Sequence, residues 1–229
     1  MNKKHFNKFL KIFSIILLVF IIIFIIYVSD YYKSSDEALK LLNNSNILVK
    51  SNYIEIKNES DIGFIFYPGG KVEYTSYLPF LTNLNNYGFN IFLVNMPFNL
   101  AVFNINAADN IIKNNSNIDT WIISGHSLGG IMASNYASNN QDKIDNLILL
   151  GSYNYNNFPL EKTLTIYGEH DLLTKDSINY SKNVVMIEGG NHAYFGNYGN
   201  QKGDGIATIS NSNQQDLTIN EIIKFLKAD

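Results

Sequence analysis

Apolar positions along the chain follow two regimes. Near the N-terminus, Ile12 to Val28 (IFSIILLVFIIIFIIYV) is an uncharged run of about 17 residues, with Phe9 and Leu10 one lysine earlier, and is long enough to span hydrocarbon. Beyond it the runs shorten and alternate in type. Tyr53–Ile56, Ile62–Phe66, Asn90–Val94, Trp121–Ser124, Leu147–Leu150, Leu164–Tyr167 and Val184–Ile187 are β-branched or aromatic and predict strands. Several lack polar alternation, as strands covered on both faces do. Between them, Tyr77–Tyr87, Ala101–Asn115, Leu128–Asn139, Ser177–Lys182 and Leu217–Lys227 predict helices, the last with one apolar face through Leu217, Ile219, Ile222, Ile223 and Leu226. Strands alternating with helices predict an α/β fold with a doubly wound, mostly parallel sheet, whose sites lie at the carboxyl ends of its strands.

Residues 29–50 are polar, helical around Glu37–Leu42, and read as a stalk. The expected division is a tail over 1–11, a transmembrane anchor over 12–28, the stalk over 29–50 and a catalytic domain over 51–229, with no internal repeat and no large cap.

Charge orients the anchor. Lys3, Lys4, Lys8 and Lys11 precede the apolar run, and Asp30, Lys33, Asp36 and Glu37 follow it, so the positive-inside rule places the tail in the cytoplasm and the domain on the extracytoplasmic side of the cell membrane. A cleaved signal peptide competes with this reading. Its apolar core is usually shorter, and neither a small-x-small cleavage site nor a lipobox cysteine follows Val28, which favours an uncleaved signal anchor. A buried core helix fits poorly, because the segment is apolar all round.

Composition narrows the chemistry. With 46% hydrophobic residues the chain can bury a sizeable core, and a net charge of -3 without a basic stripe speaks against nucleic acid as a partner. The absence of cysteine excludes disulfides, thiolate zinc sites and a thiol nucleophile. No His pair has ligand spacing, so neither a metal nor another cofactor is expected. Asn pairs such as Asn43-Asn44 and Asn114-Asn115 read as compositional bias. Oligomeric state is not legible.

The run TWIISGHSLGG, Thr120 to Gly130, enters as an apolar strand and leaves as a helix. A serine on a sharp strand-to-helix turn needs residues without side chains two positions to either side, and those are Gly125 and Gly129 around Ser127. By composition such a string turns up in roughly one of a dozen chains of this kind, so its meaning rests on partners. A serine hydroxyl needs a base, and the base an orienting carboxylate, in the chain order Ser, acid, His. Of the four histidines, His5 precedes the anchor, His126 adjoins the serine and points away from it, and His170 precedes its acid. His192 follows Val184–Ile187 through Gly189-Gly190-Asn191, and Asp171 follows Leu164–Tyr167, both beyond strand ends. Ser127, Asp171 and His192 are the candidate catalytic set. Glu169 and Glu188 compete for the acid's place, and Asp204, after the histidine, reads as a turn residue. An oxyanion needs fixed donors. The backbone N–H of Leu128 supplies one, and the loop Tyr67-Pro68-Gly69-Gly70-Lys71 the other, through Gly70 or its neighbour Lys71.

The strings YPGGKVEYTSYLPFLTNLNNYGFNIFLVNMPFNLAVF, GHSLGG, YGEHDLLT and GGNHAYFGNYGNQKGDGIATIS resemble a compact bacterial α/β-hydrolase family distantly related to dienelactone hydrolases, over roughly Ile62 to the C-terminus. The resemblance implies a Ser-His-Asp triad on Ser127, His192 and Asp171 and an acyl-enzyme formed from a small-molecule ester or related acyl substrate. Dienelactone hydrolases use a cysteine nucleophile that this chain lacks, so their substrate does not carry over. Leu150 to Leu164 leaves little room for a cap, so the site is expected to be open, roofed by Met96 to Leu100 and by Tyr194 to Tyr198, aromatics that equally suit a structural role. An acyltransferase built on the same acyl-enzyme, or a non-catalytic binding protein of this fold, would read the same way from sequence.

Overall fold

The computed structural model describes residues 3–227; Met1 and Asn2 of the expected tail, together with residues 228–229, lie outside the described residues. The chain divides into two units, residues 1–31 and 32–229. The first is a helix, α1 (Lys3–Ser29), within which Phe6–Ser29 is long and apolar enough to cross a membrane, with a mean hydropathy of 3.2.

The second unit is built on an eight-stranded sheet: β1 (Ile47–Val49), β2 (Tyr53–Ile56), β3 (Ile62–Tyr67), β4 (Asn90–Val94), β5 (Thr120–His126), β6 (Asn146–Leu150), β7 (Thr163–Gly168) and β8 (Val184–Ile187). Their spatial order is β1-β2-β4-β3-β5-β6-β7-β8. β1 and β2, and β2 and β4, pair antiparallel; every pair from β4 to β8 is parallel. Successive side chains of a strand face opposite ways, and β3 uses both faces. Phe64 and Phe66 join one core with α3 (Leu78–Asn85) and α6 (Asn211–Leu226), while Ile65 and Tyr67 join the other with α4 (Ala107–Asn114) and α5 (Leu128–Asn139). That two-sided burial explains why β3, β4 and β6 read as unbroken apolar runs. The chain reverses winding direction between β3 and β5, and at such a switch point the loops leaving the two strands part to form a crevice.

Each departure from the expected elements has a cause in specific contacts. Residues 32–50, expected as a stalk, pack on the domain. Tyr32 pairs with Val72, Ser34 bonds Glu73, Thr75 and Ser76, Ala38 of α2 (Asp36–Lys40) is fully buried, and β1 extends the sheet. The expected helix over Ala101–Asn115 is broken at Asn104, because the Tyr67 hydroxyl donates to Ile105 O (2.8 Å) and accepts from Ala108 N (3.0 Å), so α4 starts at Ala107. No α-helix forms over Ser177–Lys182. Only a 3-10 turn, Lys175–Ser177, is present, and the Tyr180 hydroxyl is tied to Thr165 Oγ1 (2.7 Å) and Asn154 N (2.8 Å). Residues 151–162 carry no cap; Asn154 secures them by accepting from Ser134 Oγ and Phe158 N.

Several asparagines do structural work. Asn85, 4% exposed at the end of α3, donates through Nδ2 to Ile56 O, Lys57 O and Phe89 O at 3.1, 3.2 and 2.8 Å, tying β2 to the approach to β4. Removing the donor strands buried carbonyls. Asn85→Ala should therefore lower stability by about 1–3 kcal/mol, read as a shift in the denaturation midpoint of the full chain in detergent.

Candidate active site

β5 ends at His126, and Ser127 makes the turn into α5 with φ 52° and ψ -123°, a conformation that costs a non-glycine residue about 1–3 kcal/mol. The surroundings impose it. Ser127 N–H donates to Leu150 O on β6 (3.0 Å), and Ser127 O accepts from Ser152 Oγ (2.9 Å) and Ile131 N (3.1 Å). The two flanking glycines are required by different neighbours. A Cβ on Gly125 would lie 2.5 Å from Gly129 C, whereas one on Gly129 would collide with the Tyr67 and Pro68 carbonyl oxygens. The turn is thus wedged, backbone on backbone, against the loop that leaves β3.

That loop presents its amides unequally. Gly69 N–H donates to the Tyr77 hydroxyl (3.0 Å), and Lys71 N–H donates to Asn99 O (2.8 Å). Among the described residues, Gly70 N–H meets no hydrogen-bond partner, and neither does Leu128 N–H at the first turn of α5. A Cβ on Gly70 would sit 2.9 Å from the Leu128 side chain, so the two residues whose amides are open are neighbours. Of the two amides weighed on this loop, Lys71's is occupied and Gly70's is open.

Asp171 and His192 lie beyond the ends of β7 and β8, both fully buried, with Nδ1 of His192 3.0 Å from Asp171 Oδ2. The carboxylate is saturated: Oδ1 accepts from Leu173 N (2.8 Å) and Thr174 N (2.9 Å), and Oδ2 also accepts from Thr174 Oγ1 (2.6 Å). Burial alone would raise its pKa, but the hydrogen bonds and charge of His192 and the bonds from Thr174 overcome this and lower it to about 2. In the neutral form of the ring, an ionised acceptor at Nδ1 puts the proton on that nitrogen and leaves Nε2 as the lone-pair atom. Nε2 is buried and has no hydrogen-bond partner among the described residues, Ser127 Oγ included. The competing acids stand elsewhere. Glu169 accepts from Gly189 N (2.8 Å) and lies 4.0 Å from His170, and Glu188 is exposed.

The His192 loop is held by polar groups that the sequence reading left without a role. Asp204 accepts from His192 N (3.2 Å) and Ala193 N (2.9 Å). The first turns of α6, too polar to reveal a helix by periodicity, reach the same loop. Gln214 exchanges two hydrogen bonds with the Asn191 backbone at 2.9 and 2.8 Å, and Asn211 donates to Tyr194 O and Gly196 O, both at 3.0 Å. Phe195 and Tyr198, weighed as roof residues, are buried in the core, which assigns them the structural role. His126 is fully buried with partners on both nitrogens, Tyr77 Oη at Nδ1 (2.8 Å) and His192 O at Nε2 (3.0 Å). The sequence signals for these positions were the Gly-Asp-Gly after the histidine and the histidine directly before Ser127.

A family model described as an alpha/beta hydrolase family matches residues 63–216. The chain belongs to the alpha/beta hydrolase family. Among solved structures it is similar to Est1E from Butyrivibrio proteoclasticus, determined with bound ferulic acid (13% identity, TM-score 0.54, covering 79% of this chain and 99% of that one). It is also similar to a dienelactone hydrolase from Anabaena variabilis (14% identity, TM-score 0.51, covering 75% and 90%) and to a monoacylglycerol lipase from Paleococcus ferrophilus (12% identity, TM-score 0.52, covering 71% and 94%). At these identities the likeness is one of fold. A comparison with curated proteins gives no match.

The depressed pKa of Asp171 links it to stability. A carboxyl whose folded pKa lies below its unfolded value of about 3.9 stabilises the fold above that value and loses the contribution as pH falls through the folded pKa. The stability gap between wild type and Asp171→Asn should therefore be widest above pH of about 4 and narrow towards about 2. Denaturation midpoints of both proteins across that range measure it; a gap that is constant with pH contradicts the assignment.

Proposed function

We propose that this chain is a membrane-anchored serine hydrolase that cleaves a carboxylic ester or related acyl bond. The observation that carries the reading is a strained Ser127 turn, whose neighbour His126 has its ring 4.5 Å from that of His192, together with a buried Asp171–His192 pair whose outer nitrogen is free and with open amides on the neighbouring residues Gly70 and Leu128. In this reading Ser127 Oγ attacks the acyl carbonyl while its proton passes to His192 Nε2. Asp171 holds the imidazole in the tautomer that can accept it and stabilises the imidazolium. Negative charge on the former carbonyl oxygen is met by the N–H groups of Leu128 and Gly70. His192 returns the proton to the leaving alcohol, then takes one from a water that cleaves the acyl-enzyme, releasing the acid and restoring Ser127. Hydrogen bonds of this kind are commonly long before substrate arrives and tighten in its complex, consistent with a serine and base not yet bonded.

The helix Phe6–Ser29 serves as the anchor, and the lysines before it place the domain on the extracytoplasmic side. Leu172 and Leu173, exposed directly after Asp171, offer an apolar margin suited to an apolar acyl chain. The reading is tested on the full chain in detergent. A fluorophosphonate probe should label wild type and not Ser127→Ala, and hydrolysis of p-nitrophenyl esters should fall by about a thousandfold or more in Ser127→Ala and His192→Gln. Equal labelling of Ser127→Ala, or none of folded wild type, overturns the proposal.

A further inference from the structure

The GHSLGG string contains a second chemistry-bearing side chain, His126, which takes no part in the proton transfer above. It lies fully buried in a cluster of rings, 4.5 Å from His192, 5.8 Å from Tyr77 and 5.6 Å from Phe195 between centroids. Its hydrogen bonds have a direction that can be worked out. His192 O is a carbonyl and only accepts, so His126 Nε2 must carry the proton. In a neutral ring Nδ1 then accepts, and the Tyr77 hydroxyl donates to it. The Tyr77 oxygen has lone pairs left, and one of them receives Gly69 N–H. Burial, with His192 beside it, pushes the His126 imidazole well below its ordinary pKa, so the neutral ring that this sequence needs is the stable one.

The result is an unbroken buried path: Gly69 N–H to Tyr77 Oη, Tyr77 O–H to His126 Nδ1, His126 Nε2–H to the carbonyl of His192. One end fixes the residue before Gly70, whose amide is open and which neighbours Leu128. The other end fixes the backbone of the candidate base. We infer that His126 and Tyr77 are positioning residues that lock the oxyanion loop and the base loop into one register across the end of the sheet. Neither touches the reacting atoms. Both act through the placement of Gly70 and His192, and the inference rests on the hydrolase reading for what that placement serves. A cationic His126 would disrupt the path, because Nδ1 would become a second donor facing Tyr77 and the hydroxyl proton would lose its acceptor. The hydrophobic packing around the ring therefore has a chemical task besides filling space: it keeps a histidine neutral next to another histidine that must remain a base.

The experiment uses the full chain in detergent micelles, with far-UV circular dichroism as the folding control. Tyr77→Phe deletes one oxygen and leaves the ring in place. His126→Phe removes both hydrogen bonds while keeping an aromatic ring, and His126→Gln keeps a donor close to the Nε2 position. Because misplacing a reacting group by about an ångström costs up to a hundredfold, the fluorophosphonate labelling rate should fall about tenfold to a hundredfold in Tyr77→Phe and in His126→Phe. The loss should appear in kcat for a short p-nitrophenyl ester and leave KM nearly unchanged, and His126→Gln should regain part of what His126→Phe loses. In 15N-histidine-labelled wild type, the signal absent from His126→Gln should be that of a neutral ring protonated at Nε2. Folded Tyr77→Phe that labels at the wild-type rate, while Ser127→Ala is unlabelled, overturns the positioning role and leaves the hydrolase reading standing. Absence of labelling in wild type overturns both. A His126 ring protonated at Nδ1, or cationic, overturns the network whatever the activity, and that spectrum decides the matter should Tyr77→Phe fail to fold.

Discussion

Everything at the carboxyl end of this sheet depends on how closely three backbones approach one another. Gly125 lies against the backbone of Gly129, and Gly129 lies against the carbonyls of Tyr67 and Pro68. No side chain fits at either contact, so the turn after β5 and the loop after β3 form a single unit. That contact holds Ser127 in its positive-φ geometry and sets Gly70 beside Leu128. The strain at Ser127 is sustained because the sheet beneath it, buried on both faces, cannot yield without exposing large apolar side chains.

A second kind of order governs the other half of the site. Asp171 and His192 stand on loops, and loops are ordinarily the softer parts of a fold. Here they are made stiff by polar groups: the carboxylate of Asp171 receives four hydrogen bonds, Asp204 binds consecutive amides, and Asn211 and Gln214 hold the backbone on either side of the histidine. Buried networks of this type are worth having only when nearly every member is satisfied. The free Nε2 of His192 stands out for that reason.

The readable parts of the sequence were those with short-range causes. β3, β4 and β8 announce themselves by β-branched and aromatic runs, and glycines and order along the chain single out Ser127, Asp171 and His192 as candidates. The elements that no local pattern marks depend on distant partners. β1 is three residues long and is a strand only because β2 lies beside it. The first turns of α6 carry Asn and Gln where a periodic apolar face would be sought, since those side chains serve a loop and not the core. Asn104 breaks an otherwise helical stretch on account of a tyrosine hydroxyl on β3. The bond between Tyr77 and His126 spans 49 positions, beyond the reach of any local pattern.

The dependence of the His192 loop on α6 has a bearing on the order in which the molecule is made. A ribosome delivers the strands from β1 to β8 before it delivers Asn211 and Gln214. A nascent chain can therefore hold all eight strands while the loop that carries His192 still lacks its bonds to α6. The clamp arrives late, so the loop that carries His192 gains its last tethers only after every strand has been made.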